Sequence, residues 1–172
     1  VPLANRHNLE RTVAGLAERI DPSEDIVVLF LSSHGDDDAT ISVNFRGFGL
    51  NDLSAANIRE ILDAHGIEWR VIIVSACYSG SFIEQLATPR TLIMTASAAD
   101  RSSFGCEHEN DWTYFGEAFS GYALKRITAF VEAFELAGAR IAEREAEEGK
   151  TASLPQISLG AEIAEYLRVN SL

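Results

Sequence analysis

Val71-Ile72-Ile73-Val74-Ser75-Ala76-Cys77-Tyr78-Ser79-Gly80 carries four β-branched residues without interruption into a turn of small residues that holds one cysteine. An unbroken run of this kind reads as a strand buried on both faces, the sort found in a parallel sheet covered by helices. Ser79-Gly80-Ser81 then opens a helix through Phe82-Ile83-Glu84-Gln85-Leu86. Strand, tight turn and helix place Cys77 where the N–H groups of a helix start point outward. The positive end of the helix dipole favours the thiolate there, and the thiolate is the nucleophile. The plain alternative is a buried structural thiol, since free cysteine is among the most buried residue types.

Working outward, Ile26-Val27-Val28-Leu29-Phe30-Leu31 reads as a second buried strand and ends in Ser32-Ser33-His34-Gly35. A third, Thr91-Leu92-Ile93-Met94-Thr95-Ala96, leads into Asp100-Arg101-Ser102-Ser103. Between them, Asn8 can cap a helix with Leu9, Val13, Leu16, Ala17 and Ile20 on one face. A helix from Asp52 to His65 places Leu53, Ile58, Ile61 and Leu62 inward and stops at Gly66. Ile41, Val43 and Phe45 alternate and return through Phe48 to Leu50 as a side hairpin. Asp36-Asp37-Asp38 lacks the further ligand spacing of a calcium loop and reads as a solvated turn. Later come a helix carrying Tyr114, Phe115, Ala118, Phe119, Tyr122 and Leu124, and a longer one over Thr128 to Glu148, whose charge run reads as a solvated face. An edge strand at Ile157-Ser158-Leu159 and a closing helix over Ala161 to Val169 complete the pattern.

Alternating strands and helices imply an α/β three-layer sandwich with a mostly parallel central sheet, built as one domain over residues 1–172. The net charge of −12 excludes nucleic acid and anionic membrane surfaces as partners. No apolar run reaches the roughly 18 residues of a membrane span. The two cysteines, Cys77 and Cys106, are too few for a disulfide scaffold. Cys106 and His108 are spaced like metal ligands but lack a second pair, so no metal or other cofactor is expected and Cys106 reads as a buried thiol. His7 and His65 read as surface or capping residues, and Asp100 and Arg101 as a local pair.

Ligands of such sheets bind beyond the carboxyl ends of the strands. Neighbouring strands lie about 4.8 Å apart, so His34 and Cys77, each just past a strand end, can reach one substrate. A histidine beside a cysteine is the general-base and nucleophile pairing of acyl transfer, with Gly35 and the Cys77 backbone as candidate oxyanion donors.

Leu31-Ser32-Ser33-His34-Gly35, followed by Val74-Ser75-Ala76-Cys77-Tyr78-Ser79-Gly80-Ser81, resembles the legumain-like cysteine peptidases (family C13), relatives of the caspases. The resemblance continues through Thr95-Ala96-Ser97, Ser102-Ser103-Phe104-Gly105-Cys106 and Thr113-Tyr114-Phe115-Gly116-Glu117. It implies a caspase-like fold, a His34/Cys77 dyad, Gly35 and Cys77 as oxyanion donors, and cleavage of a peptide or protein substrate after asparagine or aspartate. It also implies substrate-binding roles for Ser103 and Glu117 and for Ser75, which stands where legumain carries a glutamate. Glu117 replaces an aspartate. The family's first strand lies upstream of any segment in this chain, so the sheet is expected to lack it, with a cleaved piece or another chain as its source. Val1 is correspondingly expected to arise by proteolysis. Two other readings stand beside the endopeptidase: a transamidase or peptide ligase, in which an amine resolves the thioester, and a non-catalytic module that holds extended peptides.

Overall fold

The computed structural model describes residues 2–106, 110–170 and 172. The chain runs α1 (Arg6–Ala17), β1 (Val27–Ser32), β2 (Gly35–Asp36), β3 (Thr40–Ile41), β4 (Leu53–Ser54), α2 (Ala55–Ala64) and β5 (Arg70–Ser75). A 3₁₀ turn at Ser79–Ser81 precedes α3 (Phe82–Leu86) and β6 (Thr91–Thr95). Then α4 (Tyr114–Gly116) continues as a π-helical segment, Glu117–Ala123, and α5 (Phe130–Glu147), β7 (Gln156–Leu159) and α6 (Ala161–Asn170) follow. The expected origin of Val1 and the His108 half of the metal-like pair lie outside the described residues.

The central sheet has the order β1-β5-β6-β7, with β1, β5 and β6 parallel and β7 antiparallel to β6. Every residue of β5 and β6 is buried, as continuous β-branched runs require when helices cover both faces. Side chains alternate between two cores. Ile72, Val74 and Ile93 pack with Ile58, Leu62, Phe82 and Leu86 from α2 and α3. Val71, Ile73, Leu92 and Met94 pack with Phe115, Phe119, Phe134 and Ile163 from α4, the π-helical segment, α5 and α6. This is the three-layer, mostly parallel arrangement read from the sequence. Among the described residues no helix is long and apolar enough to cross a membrane.

β1 departs from its expected burial. Val27, Leu29 and Leu31 pack on the first core, whereas Val28 is 50% and Phe30 42% exposed. β1 is an edge strand that pairs only with β5 among the described residues, and neither Val28 nor Phe30 joins the core under α5 and α6.

Other differences are local. α1 is capped by Asn5, whose side chain accepts the Asn8 N–H at 2.9 Å. The side hairpin becomes a ribbon, β2-β3-β4, because Thr40 and Ile41 pair with Ser54 and Leu53; Phe45 and Phe48 form only an isolated bridge. Ser54 begins α2 with a reciprocal capping box to Asn57, and His65 is its C-cap. In the charge run of α5, Glu145 is 2% exposed and not solvated. Its carboxylate accepts the Ser153 N–H at 3.0 Å, and Ser153 in turn accepts the Ala98 N–H at 2.9 Å. The charged helix thus secures the strand-end loop of β6.

Candidate active site

β1 and β5 run parallel in register up to Ser32 opposite Ser75, and the Ser33 N–H extends the pairing to the Ser75 carbonyl at 3.4 Å. His34 and Cys77 therefore leave neighbouring strands at the same end. Their backbones nearly touch. A Cβ on Gly35 would overlap the Cys77 carbonyl and lie 2.9 Å from the Ala76 Cβ, so only glycine lets the two turns pass this closely. The His34 carbonyl accepts the Ser42 N–H at 2.8 Å, which makes positions 34 and 42 a hydrogen-bonded pair. By the alternation of antiparallel ladders, the Gly35 N–H then points away from β3. The exposed His34 lines a cleft of about 250 Å³ with Ser33, Cys106, Asn110, Asp111 and Thr113.

The turn after β5 is fixed by small hydroxyl residues. Ser79 and Ser97 exchange bonds, Ser79 N–H to Ser97 Oγ at 3.2 Å and Ser97 N–H to Ser79 Oγ at 3.1 Å. The Ser97 hydroxyl also donates to the Ala76 carbonyl at 3.1 Å. Tyr78 sits in the left-handed region, with φ 55° and ψ 17°, a conformation that is uncommon for a bulky residue and found where surrounding structure enforces it. Its N–H donates to the Arg101 carbonyl at 2.8 Å, tying the nucleophile turn to the loop after β6.

That loop wraps the sulfur. The Ser103 N–H donates to Cys77 Sγ at 3.3 Å, the Ser103 hydroxyl lies at 3.7 Å, and the thiol form donates to the Ser103 carbonyl at 3.4 Å. The Cys77 pKa is lowered to about 5, chiefly by a side-chain hydrogen bond from Cys106; burial opposes it, and the N–H and hydroxyl of Ser103 and the Ser102 hydroxyl add to it. This environment favours the Cys77 thiolate over the thiol. The helix dipole expected to supply this acidity is minor, because α3 is 5 residues long and starts only at Phe82 and the effect decays within a turn.

Among the residues singled out from the sequence, His34, Gly35, Cys77, Ser75 and Ser103 converge at this end of the sheet. Ser75 is buried and shares a 2.8 Å hydrogen bond with the Thr113 hydroxyl, which also caps α4. The Glu117 carboxylate accepts from Arg144 of α5 at 2.9 Å, and Glu117 is not in the lining of the His34 cleft. Asp100 and Arg101 do pair, at 3.6 Å. Cys106 is half-buried on the cleft wall rather than in the core. Ser97, Thr113 and Glu145 are supporting residues to which the sequence reading gives no role, although Ser97 and Thr113 stand in the stretches that carry the family resemblance. Among the described residues no group of three or more His, Cys, Asp or Glu side chains could hold a metal ion.

Residues 12–165 match the model of the Peptidase C13 family. The chain belongs to that family. A search of curated proteins found no match. Among solved structures, caspase-1 from Spodoptera frugiperda superposes with a TM-score of 0.65 over 93% of this chain and 69% of that one, at 12% identity. The likeness establishes a caspase-like fold for this C13 peptidase-family chain. Alkylation of Cys77 by iodoacetamide is expected to rise through a midpoint near the lowered pKa of about 5, against about 8.5 for an ordinary thiol. Peptide mass spectrometry across a pH series reads this directly, and a midpoint of about 8 or above would contradict the assigned environment.

Proposed function

We propose that this C13 chain is a cysteine endopeptidase that works through His34 and Cys77. The apposition of His34-Gly35 against Cys77, too close for any side chain at position 35, carries the reading. The Cys77 thiolate attacks the scissile carbonyl to form a tetrahedral oxyanion, which the N–H groups of Gly35 and Cys77 stabilise. Collapse expels the amine, to which His34 gives a proton, and leaves an acyl-enzyme that water hydrolyses. Ser103 acts on the sulfur that its N–H and hydroxyl contact.

Cleavage after asparagine, with aspartate second, is the specificity proposed. The cleft beside His34 supports it, because its lining is largely polar, with Ser33, Asp111 and Thr113 on its wall, as a carboxamide needs. Glu117 would contribute only if it left Arg144.

Incubating the full chain with a peptide library and sequencing the products by mass spectrometry tests the proposal. Cleavage after asparagine is expected, with His34→Ala slower by about 10²–10⁴-fold. Equal cleavage by the parent and His34→Ala would overturn the dyad, and products joined to an added amine would move the reading to a transamidase.

A further inference from the structure

The peptidase reading uses one of the chain's two cysteine sulfurs. The Cys106 side chain hydrogen-bonds Cys77, in a loop whose Ser103 also contacts that sulfur, and Cys106 lines the cleft together with His34. Both sulfurs are in the reduced state and half-buried, so a small solute can enter while the pair stays shielded. The loop holding Cys106 is secured on both sides of the contact. The Tyr78 N–H binds the Arg101 carbonyl at 2.8 Å, and the Tyr114 N–H binds the Phe104 carbonyl at 3.0 Å. Gly105 makes the turn between them with φ +86°, where a Cβ would lie 2.9 Å from the Tyr114 ring. The second sulfur is thereby presented to the first by a glycine turn, with Ser103 on the remaining side of Cys77.

We propose that Cys77 and Cys106 form an oxidation site for hydroperoxides, closing to an intramolecular disulfide that blocks the peptidase and protects its nucleophile. The Cys77 thiolate attacks one peroxide oxygen. A sulfur–oxygen bond forms, the oxygen–oxygen bond breaks, and the departing alkoxide or hydroxide takes a proton from solvent, leaving a sulfenic acid on Cys77. Cys106 then attacks the Cys77 sulfur. The sulfur–sulfur bond forms at about 2.05 Å, the sulfur–oxygen bond breaks, and the hydroxide leaves as water with the Cys106 proton. In sum, two thiols and one hydroperoxide give a disulfide, an alcohol or water, and one further water.

The chemistry suits this pair. Ionisation of Cys77 near neutral pH supplies the thiolate on which peroxide attack depends. A resolving thiol within contact distance intercepts the sulfenic acid before further peroxide converts it irreversibly to sulfinic and sulfonic acids. A thiol exchange reagent reopens the bond, so the loss of activity is reversible. With Cys77 in the disulfide, no nucleophile remains at the His34 cleft.

The test is a peroxide titration of the full chain, read by non-reducing peptide mass mapping and by recovery of thiols after dithiothreitol. A Cys77–Cys106 linked peptide is expected in the parent, with nearly complete recovery of both thiols. In Cys106→Ser the same dose is expected to leave Cys77 as sulfinic and sulfonic acid, with recovery of the Cys77 thiol lower by about tenfold or more. Absence of the linked peptide in the parent, or equal recovery in parent and Cys106→Ser, would overturn the proposal. Neither readout requires peptidase activity, so this result and the peptidase reading stand or fall separately. Thermal unfolding of reduced Cys106→Ser confirms that the variant is folded.

Discussion

Cys77→Ser is expected to lower kcat/KM by about 10⁴-fold or more, close to the loss from Cys77→Ala. The hydroxyl keeps one heavy atom at the right place, but the environment is tuned for sulfur. A thiol whose pKa is lowered to about 5 is ionised at neutral pH without further help, whereas a serine hydroxyl there stays protonated and must lose its proton during attack. The groups that lower the thiol pKa are Cys106, Ser103 and Ser102, donors all, and none can take that proton. His34 is left to do so alone, in a cleft where no carboxylate contact orients its ring among the described hydrogen bonds. Stability should change little, because Cys77 is half-buried and the turn is held by Ser79, Ser97 and the Tyr78 N–H rather than by its side chain. Steady-state cleavage of an asparaginyl peptide, with thermal unfolding alongside, separates the two effects. Retention of more than about a tenth of parental kcat/KM by the serine variant would place the nucleophile elsewhere.

The central strands were legible because their signal is local. Val71 to Val74 and Leu92 to Met94 are apolar at every step, and only a strand buried on both faces uses such a run. α2 was legible for the same reason, since Ile58, Ile61 and Leu62 share one face and are buried. Ile26 to Leu31 has the same composition yet sits at the sheet edge with Val28 and Phe30 exposed. Its environment depends on which strand has no outer neighbour, a fact set by the topology of the whole chain. The site divides in the same way. His34, Gly35 and Cys77 stand out as polar or small residues at the ends of apolar runs. The source of the thiol's acidity does not, because Ser103 and Cys106 reach Cys77 only after β6 and its loop have folded over it. Glu117 is the converse. The family resemblance implies a place for it in the pocket, while its carboxylate is paired with Arg144 of α5, a contact no local stretch of sequence announces.

Gly35→Ala is expected to lower kcat/KM by about 100-fold, the usual effect of displacing reacting groups by about 1 Å. The new methyl would collide with the Cys77 carbonyl and lie 2.9 Å from the Ala76 Cβ. Neither can retreat. Ala76 is fully buried, its carbonyl accepts from the Ser97 hydroxyl, and the Cys77 turn is tied through Tyr78 to Arg101. The strain must therefore be relieved on the other side, by moving His34 and position 35 away from the sulfur and spoiling both the proton transfer and the oxyanion contact. Overpacking of this kind also costs about 1–3 kcal/mol of stability, so turnover should be measured well below the unfolding transition. The backbone at Gly35 lies outside the left-handed region, which makes steric contact, and not conformation, the cause. Gly49→Ala in the following loop is the matched control, since no atom lies within 4 Å of its Cβ position. It is expected to keep parental kcat/KM. If Gly35→Ala matched that control while remaining folded, the close passage of the two strand-end turns would have no part in catalysis.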